Sequence, residues 1–345
     1  MVRRPNYAGV SINHLGETEA TTPPENVKFA ARIVRRRSLV IYRPGLRGGE
    51  SQVTDRLDGK PVAAEIDGRT RAAVRAGPTP SLVSVHRGVD TPFRFYLRRQ
   101  AKAAESVGVG FRDSALGPTD GPEQLIARLR ELDRDPSVHA VLLEHPLPAP
   151  FDFLRAISEL RPEKDVDGVG TTNLGRLVAE RPTHVPAVAR AALAIARHYG
   201  LPIEGEPVAV IGRSESVGLP LAICLLARAE GMNATVTVAH SRTRDLRKAL
   251  AGARTIFSCV GRPGLLDREV VPEGAAIVDV GLSSVPDPST KGGYRPAGDA
   301  DPAVLDGWAS ALSPVPGGVG PVTVAELMSS AVRARDFLAR GGVPE

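Results

Sequence analysis

The chain has 345 residues, is 42% hydrophobic and 24% charged, and carries a formal net charge of +5, the proportions of a soluble globular protein with room for two domains. Its longest apolar runs, such as Val208–Ile211 and Leu219–Leu226, fall far short of the roughly 20 residues that cross a bilayer, and no apolar signal core opens the sequence. Those features predict a cytoplasmic protein with no membrane partner. Two cysteines, Cys224 and Cys259, exclude a disulfide framework and a zinc site and read as buried free thiols; no metal is expected.

The basicity is local. Residues 1–53 hold nine basic groups against four acidic ones, so the remaining 292 residues are neutral overall. Arg35-Arg36-Arg37 has no aromatic platform beside it, which argues against a nucleic-acid partner. Residues 1–53 therefore read as a disordered basic arm, or as a start-site artefact ahead of a patterned protein beginning at Asp55.

From Ser81 the pattern is regular. Ser81–His86 is a predicted strand, Phe93–Val107 and Gly121–Asp135 are helices, and His139–Leu143 is a buried strand ended by Pro146-Leu147-Pro148. Phe151–Leu160 reads as a short helix and Val185–Tyr199 as a longer one. A second series follows: strand Pro207–Ile211, helix Leu219–Ala229, strand Thr235–Ala239, helix Arg244–Leu250, and strands Thr255–Val260 and Ala276–Val280. The alternation predicts two α/β domains, the second a Rossmann-type nucleotide-binding fold. Ser313–Thr323 combines proline, which fixes φ, with glycine, which permits close approach; it reads as a rigid ligand-side loop before a helix over Val322–Leu338.

Val208–Ile211 runs through Gly212-Arg213-Ser214 to Gly218 and a helix, an arrangement that presents free N–H groups to a phosphate. A plain strand-to-helix turn uses glycine too, but has no need of the long cation Arg213. His240-Ser241-Arg242-Thr243 follows the next strand, where a dinucleotide fold meets the adenosine ribose, and offers hydroxyls and a guanidinium instead of an acid. Arg213, Ser241 and Arg242 therefore point to a 2′-phosphate, hence NADP as cofactor. Gly212, Ser214 and Gly218 complete that side, and Val280 and Gly281, ending a later strand, are expected to close it by backbone contacts.

Five motifs then fall in one order: Pro146-Leu147-Pro148; Lys164-Asp165-Val166-Asp167-Gly168 with Asn173-x-Gly175-Arg176-Leu177; Ile211-Gly212-Arg213-Ser214-x-x-Val217-Gly218-x-Pro220; Ala234–Thr243; and Pro314-Val315-Pro316-Gly317-Gly318-Val319-Gly320-Pro321-x-Thr323. From Asp55 to Leu338 the chain resembles the FolD family of methylenetetrahydrofolate dehydrogenase/methenyltetrahydrofolate cyclohydrolases. The resemblance implies a folate-binding catalytic domain over 54–182, an NADP-binding domain over 183–321, a last helix over 322–340 returning to the first domain, and a homodimer. It implies oxidation of 5,10-methylenetetrahydrofolate to 5,10-methenyltetrahydrofolate, then hydrolysis to 10-formyltetrahydrofolate.

By that resemblance Tyr96, Gln100, Glu144 and Asp167 are the candidate catalytic residues, and Tyr96, Pro146, Leu147, Asp167, Pro316, Gly317 and Gly318 the substrate-binding ones. Asp167 would accept from the pterin's amino-pyrimidine edge, with Asn173 and Arg176 holding its loop. The family's Tyr-x-x-x-Lys pair appears as Tyr96-Leu97-Arg98-Arg99-Gln100, and glutamine cannot exchange a proton near neutral pH. Weakened or absent cyclohydrolase activity is therefore expected. Other departures are Glu144 for glutamine, Phe93 for serine, and Pro186-Ala187-Val188-Ala189-Arg190-Ala191 for Pro-x-Thr-Pro-x-Gly. Glu144 facing Gln100 reads as a compensating pair, or Glu144 or His145 supplies new acid/base chemistry; the strand-end reading of His145 is the plainer one. Two rivals stand: an enzyme passing a folate one-carbon unit to another acceptor, and a non-catalytic folate- or NADP-binding regulator.

Overall fold

Two parallel sheets organise the chain, and every predicted site loop leaves one of them or a helix beside it. The computed structural model describes residues 53–87, 91–290 and 292–341, and the side chains at 91–93 and 95 are outside that description. The basic segment 1–52 and the Phe93 side chain thus lie outside the described residues.

The first sheet has three strands in the order β3 (Gly110–Ala115), β2 (Ser81–His86), β4 (Ala140–Leu143). Val83 and Val85 of β2 and Val141 and Leu143 of β4 are buried in one face, against Leu125, Leu129 and Leu132 of α3 (Pro122–Arg134). These leucines recur at helical spacing, so one face of α3 is apolar. On the other face Leu82, Ala140 and Leu142 meet Ala104 and Val107 of α2 (Thr91–Val107).

The second sheet runs β1 (Asp55–Arg56), β11 (Ala311–Leu312), β8 (Ala276–Asp279), β7 (Thr255–Ser258), β5 (Pro207–Ile211), β6 (Thr235–Ala239), parallel throughout. Parallel strands covered on both faces read as continuous apolar runs, as Val208–Ile211 and Ile256–Phe257 do. Since all six point the same way, their C-terminal ends share one edge, where such folds bind ligands. The strand Asp55–Arg56 falls in the stretch expected to belong to the first domain, yet it hydrogen bonds in this second sheet. A hairpin of β9 (Ser283–Pro286) and β10 (Tyr294–Ala297) stands apart.

The helix α1 (Gly59–Arg75), absent from the sequence reading, buries Gly59, Val62, Ile66 and Thr70. It lies along the last helix, α10 (Val319–Ala339), which also packs on α2 and on α6 (Ala187–His198). Helices α4 (Phe153–Ile157), α5 (Thr171–Val178), α7 (Gly218–Leu226), α8 (Leu246–Leu250) and α9 (Pro302–Leu305) complete the set. Among the described residues no helix is long and apolar enough to cross a membrane.

Candidate active site

Glu144 follows β4 directly, and its backbone N–H still donates to Val85 of β2, which fixes its side chain at the C-terminal edge of the small sheet. Gln100, wholly buried on α2, donates from Nε2 to Glu144 Oε1 at 2.7 Å, and the Ser84 hydroxyl donates to the same oxygen at 3.0 Å. Gln100 Oε1 is buried without a hydrogen-bond partner. Tyr96, one helical turn earlier, lies against Gln100. Burial, then the nearby Glu144, pushes its phenol pKa up. Burial also raises the Glu144 carboxyl, while the bonds from Gln100 and Ser84 pull it back.

The segment Lys164–Gly168 divides its labour. Lys164 donates from Nζ to the carbonyls of Leu132, Asp133 and Asp135 at 3.0, 2.8 and 2.7 Å, capping the C-terminus of α3. Asp165 accepts from Asn173 Nδ2 and Gly170 N, both at 2.8 Å, and from Gly168 N at 3.1 Å. Burial lifts its pKa to about 6. Asp167 alone of this acid pair turns toward Glu144 and His145. It accepts from Ala187 N, the first residue of α6, at 3.2 Å, and its Oδ2 is 4.0 Å from His145 Nε2. Burial raises its pKa as well. His145 also meets Phe153 edge-on at 5.2 Å. Asn173 and Arg176 sit on the helix α5 and tie back to Pro162 and Asp165, and to Glu163 and Thr183. Pro146 is exposed, whereas Leu147 is half-buried against the core of the small sheet.

On the second sheet, Gly212 follows β5 with φ +110°, a conformation that favours glycine, and a Cβ on Gly218 would lie 2.3 Å from the Gly212 carbonyl oxygen. The turn therefore closes tightly onto the first residue of α7. No side chain caps that helix; Leu219 N donates to the Ser214 carbonyl at 3.0 Å and Pro220 has no N–H, which leaves Gly218 N as the donor of the first turn with no bond among the described residues. Arg213 and Ser214 are exposed in the turn; Ser241 and Arg242 are exposed after the neighbouring β6, where Arg242 N donates to His240 Nδ1 at 3.1 Å. Gly281 N donates to Asp279 Oδ1 at 2.9 Å, and Val280 N continues the ladder to Ser258. Burial raises Asp279 to about 7.

The loop after β11 turns through a cis Val315-Pro316 bond and Gly317 at φ +116°. Pro316 is exposed, Gly317 is half-buried and Gly318 is buried. Gly317 O accepts from Gly59 N at 2.8 Å, and a Cβ on Gly59 would fall 1.8 Å from Gly318 O. The loop is thus pinned to the start of α1. Sequence reading missed two organising residues. Ser84 had a signal, a polar residue within the apolar run of β2. Asp299 had none beyond its place among turn residues, yet it accepts from Ser258 Oγ, Val260 N and Arg262 N at 2.6, 3.0 and 2.5 Å, holding the loop after β7.

Two family models match in succession: the tetrahydrofolate dehydrogenase/cyclohydrolase catalytic domain over residues 57–167, and the NAD(P)-binding domain of the same enzymes over residues 186–337. The chain belongs to the tetrahydrofolate dehydrogenase/cyclohydrolase family. Within that family it is 34% identical to the bifunctional protein FolD of Chlorobium limicola over 285 residues, 81% of this chain and 96% of that protein. It is 38% identical to bifunctional protein FolD 1 of Rhodococcus jostii over 286 residues, 82% and 93%. Among solved structures it is similar to the Trypanosoma brucei methylenetetrahydrofolate dehydrogenase-cyclohydrolase complexed with NADP cofactor and an inhibitor. That likeness has a TM-score of 0.78 at 34% identity and covers 84% of this chain and 99% of that one. The three-stranded sheet lies within the first matched range, and β5 to β8 and β11 of the second sheet lie within the other.

Proposed function

We propose that the protein oxidises 5,10-methylenetetrahydrofolate to 5,10-methenyltetrahydrofolate with NADP⁺, and that its cyclohydrolase activity is weak or absent. One observation carries the reading: both domain models match in order on a chain whose cofactor turn is intact, with a cradle at Gly212–Gly218 that a single Cβ would fill. The residues there suit the cofactor. The turn at Gly212–Gly218, with Gly218 N at the start of α7, would receive the pyrophosphate, Gly212, Ser214 and Gly218 would let it approach, and Arg213, Ser241 and Arg242 would bind the 2′-phosphate. Bound there, NADP⁺ supplies a hydride acceptor. Val280 and Gly281 line its nicotinamide side with backbone.

Asp167 holds the pterin through its amino edge, and Tyr96, Pro146 and Leu147 with the Pro316–Gly318 loop enclose the substrate and exclude water. Alignment is the main demand of the step, because the substrate already carries its reactive carbon. Hydrolysis demands more: a group must move protons. Gln100 cannot, and it is committed to Glu144 at 2.7 Å. The folate-binding domain comprises 54–182 with the last helix, and the NADP-binding domain 183–321. Purified protein should form NADPH from methylenetetrahydrofolate and NADP⁺; no NADPH with any reduced folate overturns the reading. Rapid hydrolysis of the methenyl product by the unmodified protein overturns its second half.

A homodimer suits the exposed edge of the second sheet. β6 is a terminal strand, with Val238 38% exposed on it and Leu226 55% exposed at the end of the neighbouring helix, an apolar edge that a second copy can cover. Sedimentation equilibrium tests it. Free Cys224 and Cys259 suit a reducing compartment, the cytoplasm.

A further inference from the structure

We infer that Glu144 is the counter-charge for the cation that the reaction makes, so that this pocket discriminates the oxidised, positively charged folate from its neutral precursors. The inference rests on the dehydrogenase reading above. In that reaction one C–H bond of the N–CH₂–N bridge breaks and both its electrons leave with the hydrogen, reducing NADP⁺. No proton is released, and the carbon becomes the centre of an N–CH=N⁺ amidinium. Positive charge therefore appears where the substrate had none, and a pocket that carries fixed negative charge favours product and transition state over substrate.

The geometry supplies that charge. Gln100 Nε2 and the Ser84 hydroxyl both donate to Glu144 Oε1, which favours the ionised form, and neither uses Oε2. Both donors are wholly buried, so they hold the carboxylate in one place and add no positive charge of their own. The charged groups that act on Glu144 are Asp167, which opposes its ionisation, and His145, which favours it; Tyr96 on α2 is neutral at physiological pH. Burial makes the unliganded carboxyl harder to ionise than an exposed one, and an arriving amidinium reverses that penalty. Gln100 Oε1 is buried with no hydrogen bond in the geometry, and Tyr96 lies against the same amide.

The test compares binding of 5,10-methenyltetrahydrofolate, a cation, with tetrahydrofolate, which lacks that charge, by rapid-mixing titration without NADP. Glu144→Gln is isosteric and is expected to weaken methenyl binding on the order of tenfold while leaving tetrahydrofolate affinity within about twofold. As pH falls the unmodified protein should lose its preference for the cation, and the Glu144→Gln variant should lose less of what preference it has. Equal cation affinity in both proteins overturns the inference. Failure of the unmodified protein to bind either folate sinks the dehydrogenase reading instead, which keeps the two failures apart. If Glu144→Gln does not fold, Ser84→Ala serves: removing one donor should move the pH midpoint of cation binding upward, and an unmoved midpoint overturns the inference.

Discussion

Arg190 on α6 and Glu326 on α10 form an ion pair in the seam between these two helices. The Glu326 side chain is only 7% exposed, and burial holds the Arg190 pKa below its ordinary value while Glu326 pushes it back. Removing one partner of such a pair strands a charge in low dielectric. Glu326→Ala is expected to destabilise the protein by about 3 kcal/mol in urea unfolding, and Arg190→Met combined with Glu326→Leu to recover most of that loss.

His184 gives stability a pH dependence with a definite sign. It is buried, its Nε2 lies 2.9 Å from the Glu163 carbonyl oxygen, and burial pushes its pKa down to about 4, against an unfolded value near 6.5. The unfolded chain therefore takes up a proton between pH 6.5 and pH 4 that the fold refuses, so the contribution is complete above 6.5 and is lost as pH falls, by about 3 kcal/mol in all. Asp165, raised to about 6, titrates in the opposite sense, its fold gaining stability as it protonates. Subtracting the stability profile of His184→Asn from that of the unmodified protein isolates the histidine; a difference independent of pH contradicts the assignment.

Gly218→Ala is expected to raise the NADP dissociation constant more than tenfold in calorimetry, because its methyl group meets the Gly212 carbonyl and forces the turn apart. Gly68, exposed on α1 with nothing within 4 Å of a Cβ, is the contrast: Gly68→Ala should bind NADP normally and gain about 0.5–1 kcal/mol of stability.

Cofactor choice is expected to follow Arg213 and Arg242. Each alanine variant should lose about 10- to 100-fold in NADP affinity, the worth of one charge-assisted contact to phosphate, with NAD affinity nearly unchanged. Equal losses for both cofactors would remove the 2′-phosphate from the account.

The elements legible in sequence are those whose grammar is local. β5, the glycine turn and α7 follow one another within 20 residues, and β2 and β6 lie at their predicted bounds. The Gln100–Glu144 contact was legible only through motif departures at two distant positions. By contrast, α1 contains Pro61 and two glycines and buries a stripe of only four residues, so its helical period is diluted. β3 carries Arg112 and Asp113 and fully buries only Ser114, which hides its alternation. α10 begins at Val319, earlier than the predicted Val322, because Pro321 falls in the first turn, where a missing N–H costs no hydrogen bond. The two-residue strands β1 and β11 have no period to read and exist only through their partners.

The way the two ends of the chain interlock bears on the order of synthesis. α1 and β1, near the start of the described residues, find their partners in α10, β11 and the loop between them, near their end. Packing of α1 and β1 therefore waits for the carboxy-terminal elements, whereas the small sheet's own core, drawn from residues 83–169, closes without them.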